Sequence, residues 1–331
     1  MTSLSWLRTL EVADIAAITD LLAAAERADG NGGVSEDVRL TLRSGPVGGG
    51  VEHLVARAGP AVVGYAALGG TAGERQAELV VHPDHRRAGV GTALVRALLE
   101  ATSATDRTAR PAPVSLNVWA HGDTPAATAL AARNGFDRER VLLQLRRPLT
   151  PVRSGDPDDL PRPIVPADVT IRAFEVGVDE QAWLAVNAEA FADHPEQGRW
   201  TLDDLRARER EPWFDPAGFF LAERAGALLG FHWTKVHPRD PVPDRSDAPD
   251  RSSRPPGPIG EVYVVGVASA AVGAGLGAAL TIVGLRHLRD SGLAAVMLYV
   301  DEDNTRAVRL YTRLGFRRHA ADVSYRHVVR G

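Results

Sequence analysis

The sequence predicts an α/β (α+β) protein made of two similar halves, each a mixed sheet with helices on both faces. The first observation is a repeat: residues 78–94 and 261–280 each contain an apolar strand, a glycine-rich turn and an Ala/Leu-rich helix. The second is that each copy is followed by a short helix that ends at a Gly-Phe pair, Gly135-Phe136 and Gly315-Phe316. Strands that alternate with helices in this way build a sheet covered by helices.

The elements of the second half follow from periodicity and from helix-capping residues. Either Asn304 or Thr305 is expected to cap the last helix, and Gly315 to end it. In chain order we predict helices over 179–192 and 202–209, paired strands over 218–223 and 227–236, a strand over 261–267, a helix over 276–288 and a strand over 294–300.

Composition changes divide the chain into two domains. We expect an N-terminal domain over 1–148, a Pro-rich polar linker over 149–167 and a C-terminal domain over 168–331. Residues 237–258 are rich in Pro, Asp, Arg and Ser and have no apolar periodicity, so they indicate a loop inserted in the second half.

Composition also limits the classes of partner. With 331 residues, 44% of them hydrophobic, each half is long enough to bury its own core. A net charge of −4 argues against nucleic acid or an anionic membrane as the main partner. The sequence shows no secretory signal or membrane span, and it contains no cysteine, so we expect a cytoplasmic protein. We also expect it to be a monomer. Its 10 histidines show no paired ligand spacing, so no metal is expected.

The two glycine loops indicate anion binding. A strand that leads through glycines into a helix brings backbone N–H groups close to a phosphate. Glycines in such a turn could instead only allow close helix packing, in a chain with 32 of them. Two copies in the same context favour the phosphate interpretation.

These residues carry a resemblance. The run from Arg86 to Gly91 resembles the Arg/Gln-x-x-Gly-x-Gly signature with which the GNAT acyltransferase superfamily binds acetyl-CoA. The strings at 191–201, 213–216, 230–238 and 260–267 resemble the mycothiol synthase family, which are tandem GNAT acetyltransferases of actinobacteria. The resemblance spans the whole chain. It implies transfer of acetyl from acetyl-CoA to the cysteine amine of desacetylmycothiol, the last step of mycothiol biosynthesis.

Glu261 is the expected general base. An amine that attacks a thioester must lose a proton, and an α-amine with a pKa of about 7.7–8.0 can give it to a carboxylate directly or through water. Glu261 begins the strand that leads to the second glycine loop. Position alone favours a surface Glu at a strand end, and the resemblance implies the catalytic role.

Tyr311 is the expected partner of the leaving thiolate. Proton transfer from a phenol of pKa about 10 to a thiolate of about 8.5 is uphill, so Tyr311 should mainly donate a hydrogen bond to the sulfur. The alternative is a core residue, because Ala307, Leu310, Tyr311 and Leu314 form an apolar helical stripe.

The resemblance also implies the acceptor-binding residues, which are Glu36, Glu196, Lys235, Glu261 and Tyr299. Lys235 is the only lysine in the chain. It could remain by chance in a sequence that uses arginine almost everywhere else, or it could be needed in the site because its ammonium is compact. Glu36 belongs to the first half, in a Gly-rich loop, so the acceptor is expected to contact both domains. On sequence alone it could be a solvated loop residue.

The cofactor-binding residues are implied in the same way, in three groups. Those at the first strand end and loop are Leu79, Val80, Val81, Arg86, Arg87, Ala88, Gly89, Val90, Gly91 and Thr92. Those at the second are Val265, Gly266, Val267, Val272, Gly273, Ala274, Gly275, Leu276, Gly277 and Ala278. Those at the start of the last helix are Asn304, Thr305, Arg306, Ala307, Val308 and Arg309.

The two halves differ in chemistry. The second glycine loop lacks the Gln and Arg that the family usually carries there, and no basic residue occurs between Glu261 and Arg286. The offset of 186 residues between the glycine loops (Gly91 and Gly277) places Arg75 opposite Glu261, and the offset of 180 between the Gly-Phe pairs (Gly135 and Gly315) places Ala131 opposite Tyr311. We therefore expect the first half to bind cofactor without catalysis.

Two other functions fit the same residues. One is an N-acetyltransferase for another small amine, such as an amino sugar or polyamine, which competition between acceptors would distinguish. The other is a catalytically weak acyl-CoA-binding protein, suggested by the second loop and opposed by the retention of Glu261 and Tyr311.

Overall fold

The computed structural model describes residues 2–30, 33–44, 50–71, 73–106, 114–149, 160–192, 197–237 and 257–329. The chain forms two compact units. The first contains Met1–Leu143, Asp301–Asp303 and Ala320–Gly331, and the second contains Gln144–Val300 and Asn304–His319. Part of the predicted linker lies outside the described residues, so the domain boundary over 149–167 stays a prediction.

The elements of the N-terminal half follow the predicted alternation of strands and helices. They are β1 (Thr2–Leu7), α1 (Val12–Asp29), α2 (Glu36–Ser44), β2 (Glu52–Ala58), β3 (Ala61–Gly70), β4 (Glu74–Val81), α3 (Val90–Asp106), β5 (Val114–Ala120), α4 (Pro125–Arg133) and β6 (Asp137–Pro148).

The elements of the C-terminal half match the predicted ones to within a few residues. They are β7 (Thr170–Ala173), α5 (Glu180–Ala190), α6 (Leu202–Glu209), β8 (Phe219–Arg224), β9 (Ala227–His237), β10 (Ile259–Val267), α7 (Leu276–Asp290), β11 (Ala295–Asp301), α8 (Thr305–Arg313) and β12 (Arg317–Val329). Most of the predicted 237–258 insertion lies outside the described residues. Of the two candidate caps for α8, Asn304 is the one used, and its side chain accepts the backbone N–H of Ala307 at 3.1 Å.

Both units contain a mixed sheet, as predicted. In the first unit the strands follow the order β1-β2-β3-β4-β5, with β4 and β5 parallel and the other pairs antiparallel. In the second the order is β7-β8-β9-β10-β11, and only β10 and β11 are parallel. The parallel pair thus lies at the same place in both halves of the repeat.

Each sheet has a core on both faces because strand side chains alternate in direction. On β3, Tyr65 and Ala67 pack with the apolar side of α1, whereas Ala66 and Leu68 pack with α3. In the second unit one face is aromatic, and Trp233 stacks on Phe219 with ring centroids 4.5 Å apart. Its other face packs against α7 through small and branched residues.

The last strand of the chain completes the first unit. β12 pairs antiparallel with β5, and Val323 faces Ala120. Val323 and Tyr325 are buried in the same cluster as Leu94 of α3. Without β12, strand β5 would have an unpaired edge. In the part of the chain that the structure describes, no helix is both long and apolar enough to cross a membrane.

Candidate active site

The candidate active site begins where β10 and β11 separate. Their parallel pairing ends at Val262 and Leu298, although β10 continues to Val267. Beyond this point β10 pairs only with β9, and a β-bulge at Tyr263 shifts that register. The edge of β10 that faces away from β9 is therefore open to an extended ligand that carries amide groups.

Glu261 lies directly before this opening. It is 6% exposed, and its Oε2 is 2.6 Å from Nε2 of His237. The β9–β10 register places Lys235 directly across from it. A buried carboxylate with a defined partner, next to an open strand edge, can accept a proton from a bound amine.

Lys235 is held by aromatic rings. It is 7% exposed, and its Nζ lies 4.2 Å from the centre of the Trp213 ring and 4.9 Å from that of Tyr263. The hydroxyl of Tyr263 accepts a hydrogen bond of 2.9 Å from Nε of Arg208, whose guanidinium lies over the ring of Trp200. Ring faces stabilise the ammonium where water is excluded.

Tyr311 lies on α8, and its ring contacts Phe316 edge-on at 5.7 Å. Burial raises the pKa of Tyr311 to about 12. Transfer of its proton to a thiolate of pKa about 8.5 is therefore uphill by roughly 5 kcal/mol. Tyr311 can donate a hydrogen bond to such a sulfur and remain protonated.

The second glycine loop fits a pyrophosphate without any charged side chain. Gly273 and Gly275 have φ values of 97° and 78°, which favour glycine, and a Cβ at either would meet nothing within 4 Å. Gly275 caps α7 with no side-chain hydrogen bond, so the first N–H groups of the helix have no side-chain cap. The neighbouring Val272 is 51% exposed and uncharged.

The first glycine loop has basic residues, but one of them is already paired. Arg86 donates two hydrogen bonds of 2.7 Å to Asp29 and a third, of 3.1 Å, to the carbonyl of Val81. Hydrogen bonding to Asp29 raises the pKa of Arg86 above its usual value. Arg87 has a φ of 63°, in the position that Gly273 occupies in the second loop.

Comparison with known proteins indicates the family of this chain. The Acetyltransferase (GNAT) family profile matches residues 183–316, and an Acetyltransferase (GNAT) domain profile matches 49–138. The chain is 86% identical to a mycothiol acetyltransferase of Parafrankia sp. over the full length of both proteins. It is 59% identical to that of Frankia alni over 98% of this chain and 94% of the other.

The chain belongs to the mycothiol acetyltransferase family. Among solved structures it is similar to a GCN5-related N-acetyltransferase from Sphaerobacter thermophilus, with a TM-score of 0.67 and 25% identity over 99% of this chain and 96% of that one. It shares its fold with a tandem GNAT protein of the clavulanic acid pathway, with a TM-score of 0.70 and 20% identity over 99% and 98% of the two chains. The fold and the resemblance predicted from the sequence are confirmed, and the protein is an acetyl-CoA-dependent N-acetyltransferase.

Strand register changes which residue of the first GNAT unit is equivalent to Glu261 of the second. Val81 pairs with Gly64 as Val267 pairs with Gly230, and counting from these pairs makes Gln76 the equivalent of Glu261. The expectation of Arg75 was wrong by one residue because the bulge at Tyr263 inserts one residue in β10 that β4 lacks.

Ala131 is the structural equivalent of Tyr311, as expected. Its carbonyl accepts the N–H of Phe136 at 3.0 Å, and that of Tyr311 accepts the N–H of Phe316 at the same distance. The first unit thus has an amide and a methyl group where the second has a carboxylate and a phenol.

The other predicted acceptor residues have separate positions. Glu36 is the first residue of α2 in the first unit rather than part of a loop, since the helix begins directly after Ser35. Tyr299 on β11 is 40% exposed and accepts a hydrogen bond of 2.7 Å from Gln144. Glu196 lies outside the described residues.

Sequence reasoning missed His237 and Arg208 as neighbours of the site. His237 follows Lys235 at the two-residue spacing that places strand side chains on one face, so strand periodicity could have placed it beside Lys235 but not against Glu261. Arg208 lies on α6, 55 residues before Tyr263 in the chain, and no local pattern connects the two.

Proposed function

We propose that this protein moves the acetyl group of acetyl-CoA to the cysteine amine of desacetylmycothiol and that the chemistry takes place in the second unit. The observation that carries the assignment of the unit is the buried Glu261 beside the open edge of β10. The first unit has Gln76 and Ala131 at the two equivalent positions.

Glu261 takes a proton from the acceptor amine, directly or through water. The neutral amine then attacks the thioester carbon, and the thiolate of coenzyme A leaves. Of the three protons on the starting ammonium, the amide keeps one, the thiol of coenzyme A takes one and one leaves to solvent. Tyr311 donates a hydrogen bond to the departing sulfur, where negative charge develops.

The two ends of acetyl-CoA have different binding groups. Backbone N–H groups at the start of α7 bind the pyrophosphate through the helix dipole. The open edge of β10 over Val265–Val267 pairs with the amide groups of the pantetheine. Lys235 then lies close to the reacting end and binds hydroxyl oxygens of the sugar–inositol acceptor as a hydrogen-bond donor.

The test is acetyl transfer by the purified full chain. With acetyl-CoA and desacetylmycothiol we expect stoichiometric release of free coenzyme A and an acetylated product detected by mass spectrometry. Glu261→Gln should lower kcat about 100-fold or more. An amino sugar or polyamine offered in competition should be acetylated far less efficiently. Equal or better turnover of those amines would contradict the choice of acceptor.

A further inference from the structure

The carboxylate of Glu261 has one hydrogen-bond partner among the described residues, which is the imidazole of His237. The bond joins Nε2 of His237 to Oε2 of Glu261 at 2.6 Å. The side chain of His237 is 33% exposed, against 8% for that of Glu261. The imidazole therefore lies between the buried carboxylate and solvent.

The strand geometry explains why these two side chains meet. Lys235 pairs with Glu261, and His237 pairs with Ile259, so all four side chains leave the sheet on one face. His237 reaches Glu261 along the diagonal of this four-residue group, a distance that long side chains span. The main chains of β9 and β10 are already paired at His237 and Ile259, so the side-chain bond is not needed to hold the strands together.

We propose that His237 is the positioning residue of the catalytic carboxylate, an inference that rests on the proposed role of Glu261 as base. His237 donates its Nε2 proton to Oε2, which fixes the rotation of the carboxylate. Oε1 has no hydrogen-bond partner among the described residues, so it is the oxygen that accepts the amine proton. A base works when its lone pair is held in line with the proton that it removes.

The roles could also be reversed, with the exposed imidazole as base and the buried carboxylate as its orienting group, as in the Ser-His-Asp arrangement. Two substitutions separate these arrangements. In His237→Gln the amide nitrogen is three bonds from Cβ, as Nε2 is in histidine, so it can donate the same hydrogen bond but cannot act as a base. His237→Phe keeps an aromatic ring at this position and removes the Nε2–H donor.

Steady-state kinetics of the full chain test the proposal. We expect His237→Phe to lower kcat roughly 10-fold or more, which is the range for loss of a hydrogen bond to a charged group, with the KM for acetyl-CoA unchanged. His237→Gln should stay within about threefold of wild-type kcat. The matched control is His287→Phe in the same unit, since that side chain is 26% exposed and lies 3.8 Å from a carboxylate of Asp215 outside the site.

A double-mutant cycle shows whether His237 acts through Glu261. On a Glu261→Gln background, His237→Phe should have no further effect on kcat. Multiplicative losses would overturn the proposal, as would equal losses in His237→Gln and His237→Phe, which would make the imidazole the base. Unchanged kcat in His237→Phe would overturn it as well. Unchanged kcat in Glu261→Gln would instead contradict the proposed function, and thermal unfolding of each variant distinguishes these results from loss of fold.

Discussion

Lys235 and Glu261 are paired directly across adjacent antiparallel strands, and both are buried. The ammonium of Lys235 lies on the rings of Trp213 and Tyr263, and the carboxylate of Glu261 is held by His237. Two opposite charges on one sheet face thus have separate partners. In the proposed function, the cation binds the acceptor hydroxyls and the anion takes the proton of the acceptor amine.

Lys235→Arg should raise the KM for the acceptor roughly 10-fold or more, because the planar guanidinium presents its N–H donors at other positions and in other directions than a compact ammonium. The KM for acetyl-CoA should not change, since the proposed cofactor site lies along β10 and α7. Initial rates with each substrate varied in turn check this. An equal rise in both KM values would indicate general damage to the site rather than loss of an acceptor contact.

Tyr311→Phe should lower kcat on the order of 10-fold and leave both KM values nearly unchanged, because in the proposed mechanism the phenol contacts the sulfur mainly in the transition state. The raised pKa of Tyr311, about 12, has a further consequence for the pH profile. Since the phenol stays protonated below that pH, kcat of the wild type should not fall between pH 8 and 10 through ionisation of Tyr311. A fall there that Tyr311→Phe abolishes would contradict this.

The uncharged second glycine loop should bind acetyl-CoA more weakly than a basic loop. Val272→Gln with Ala274→Arg should lower the KM for acetyl-CoA several-fold and leave kcat nearly unchanged, since the pyrophosphate is remote from the thioester. Isothermal titration with coenzyme A gives the affinity independently. Ser291→Arg, which adds the same charge at the far end of α7, is the control. No change in affinity would mean that side chains elsewhere bind the phosphates.

His121 should make the stability of the first unit depend on pH. Burial lowers the pKa of His121, but hydrogen bonds to Asp322 and Glu78 outweigh it and raise the pKa to about 10. Because the folded-state pKa lies above the unfolded value of about 6.5, the contribution is complete below pH 6.5 and is lost as pH rises through about 10. The denaturant midpoint should therefore fall over this range in the wild type and change less in His121→Gln.

The composition of the chain limits the other contributions to this pH dependence. The chain has one lysine and no cysteine, so the groups other than His121 that can titrate near pH 7 to 10 are mainly histidines and tyrosines, which are the same in both proteins. A wild-type midpoint that is as flat as that of His121→Gln would show that the imidazolium contributes nothing to stability.

The first unit should bind coenzyme A without catalysis, and the full chain is the right protein in which to test it. A fragment that ends at Arg147 lacks β12 and with it Asp322, the partner of His121. The full chain with Glu261→Gln and Tyr311→Phe should bind two molecules of coenzyme A in titration, one in each unit, and lose measurable acetyl transfer. Residual transfer that Gln76→Ala removes would assign chemistry to the first unit.

Local chemistry determined what the sequence could predict. Helix and strand positions in the second half, the Asn304 cap and the two glycine loops follow from side-chain periodicity, capping hydrogen bonds and the backbone freedom of glycine, all of which act within a few residues. The residues around Lys235 and Glu261 likewise indicated the family through short stretches of sequence. These features need no knowledge of which distant segments meet.

Tertiary structure decided the rest. That β12 completes the first unit depends on which sheet edge was open, and the contact of His237 with Glu261 depends on strand register. Because of the bulge at Tyr263, the first-unit equivalent of Glu261 is Gln76 and not Arg75. The guanidinium of Arg86 forms hydrogen bonds with Asp29. Each outcome is set by hydrogen bonds between residues far apart in the chain, which periodicity along one segment cannot reveal.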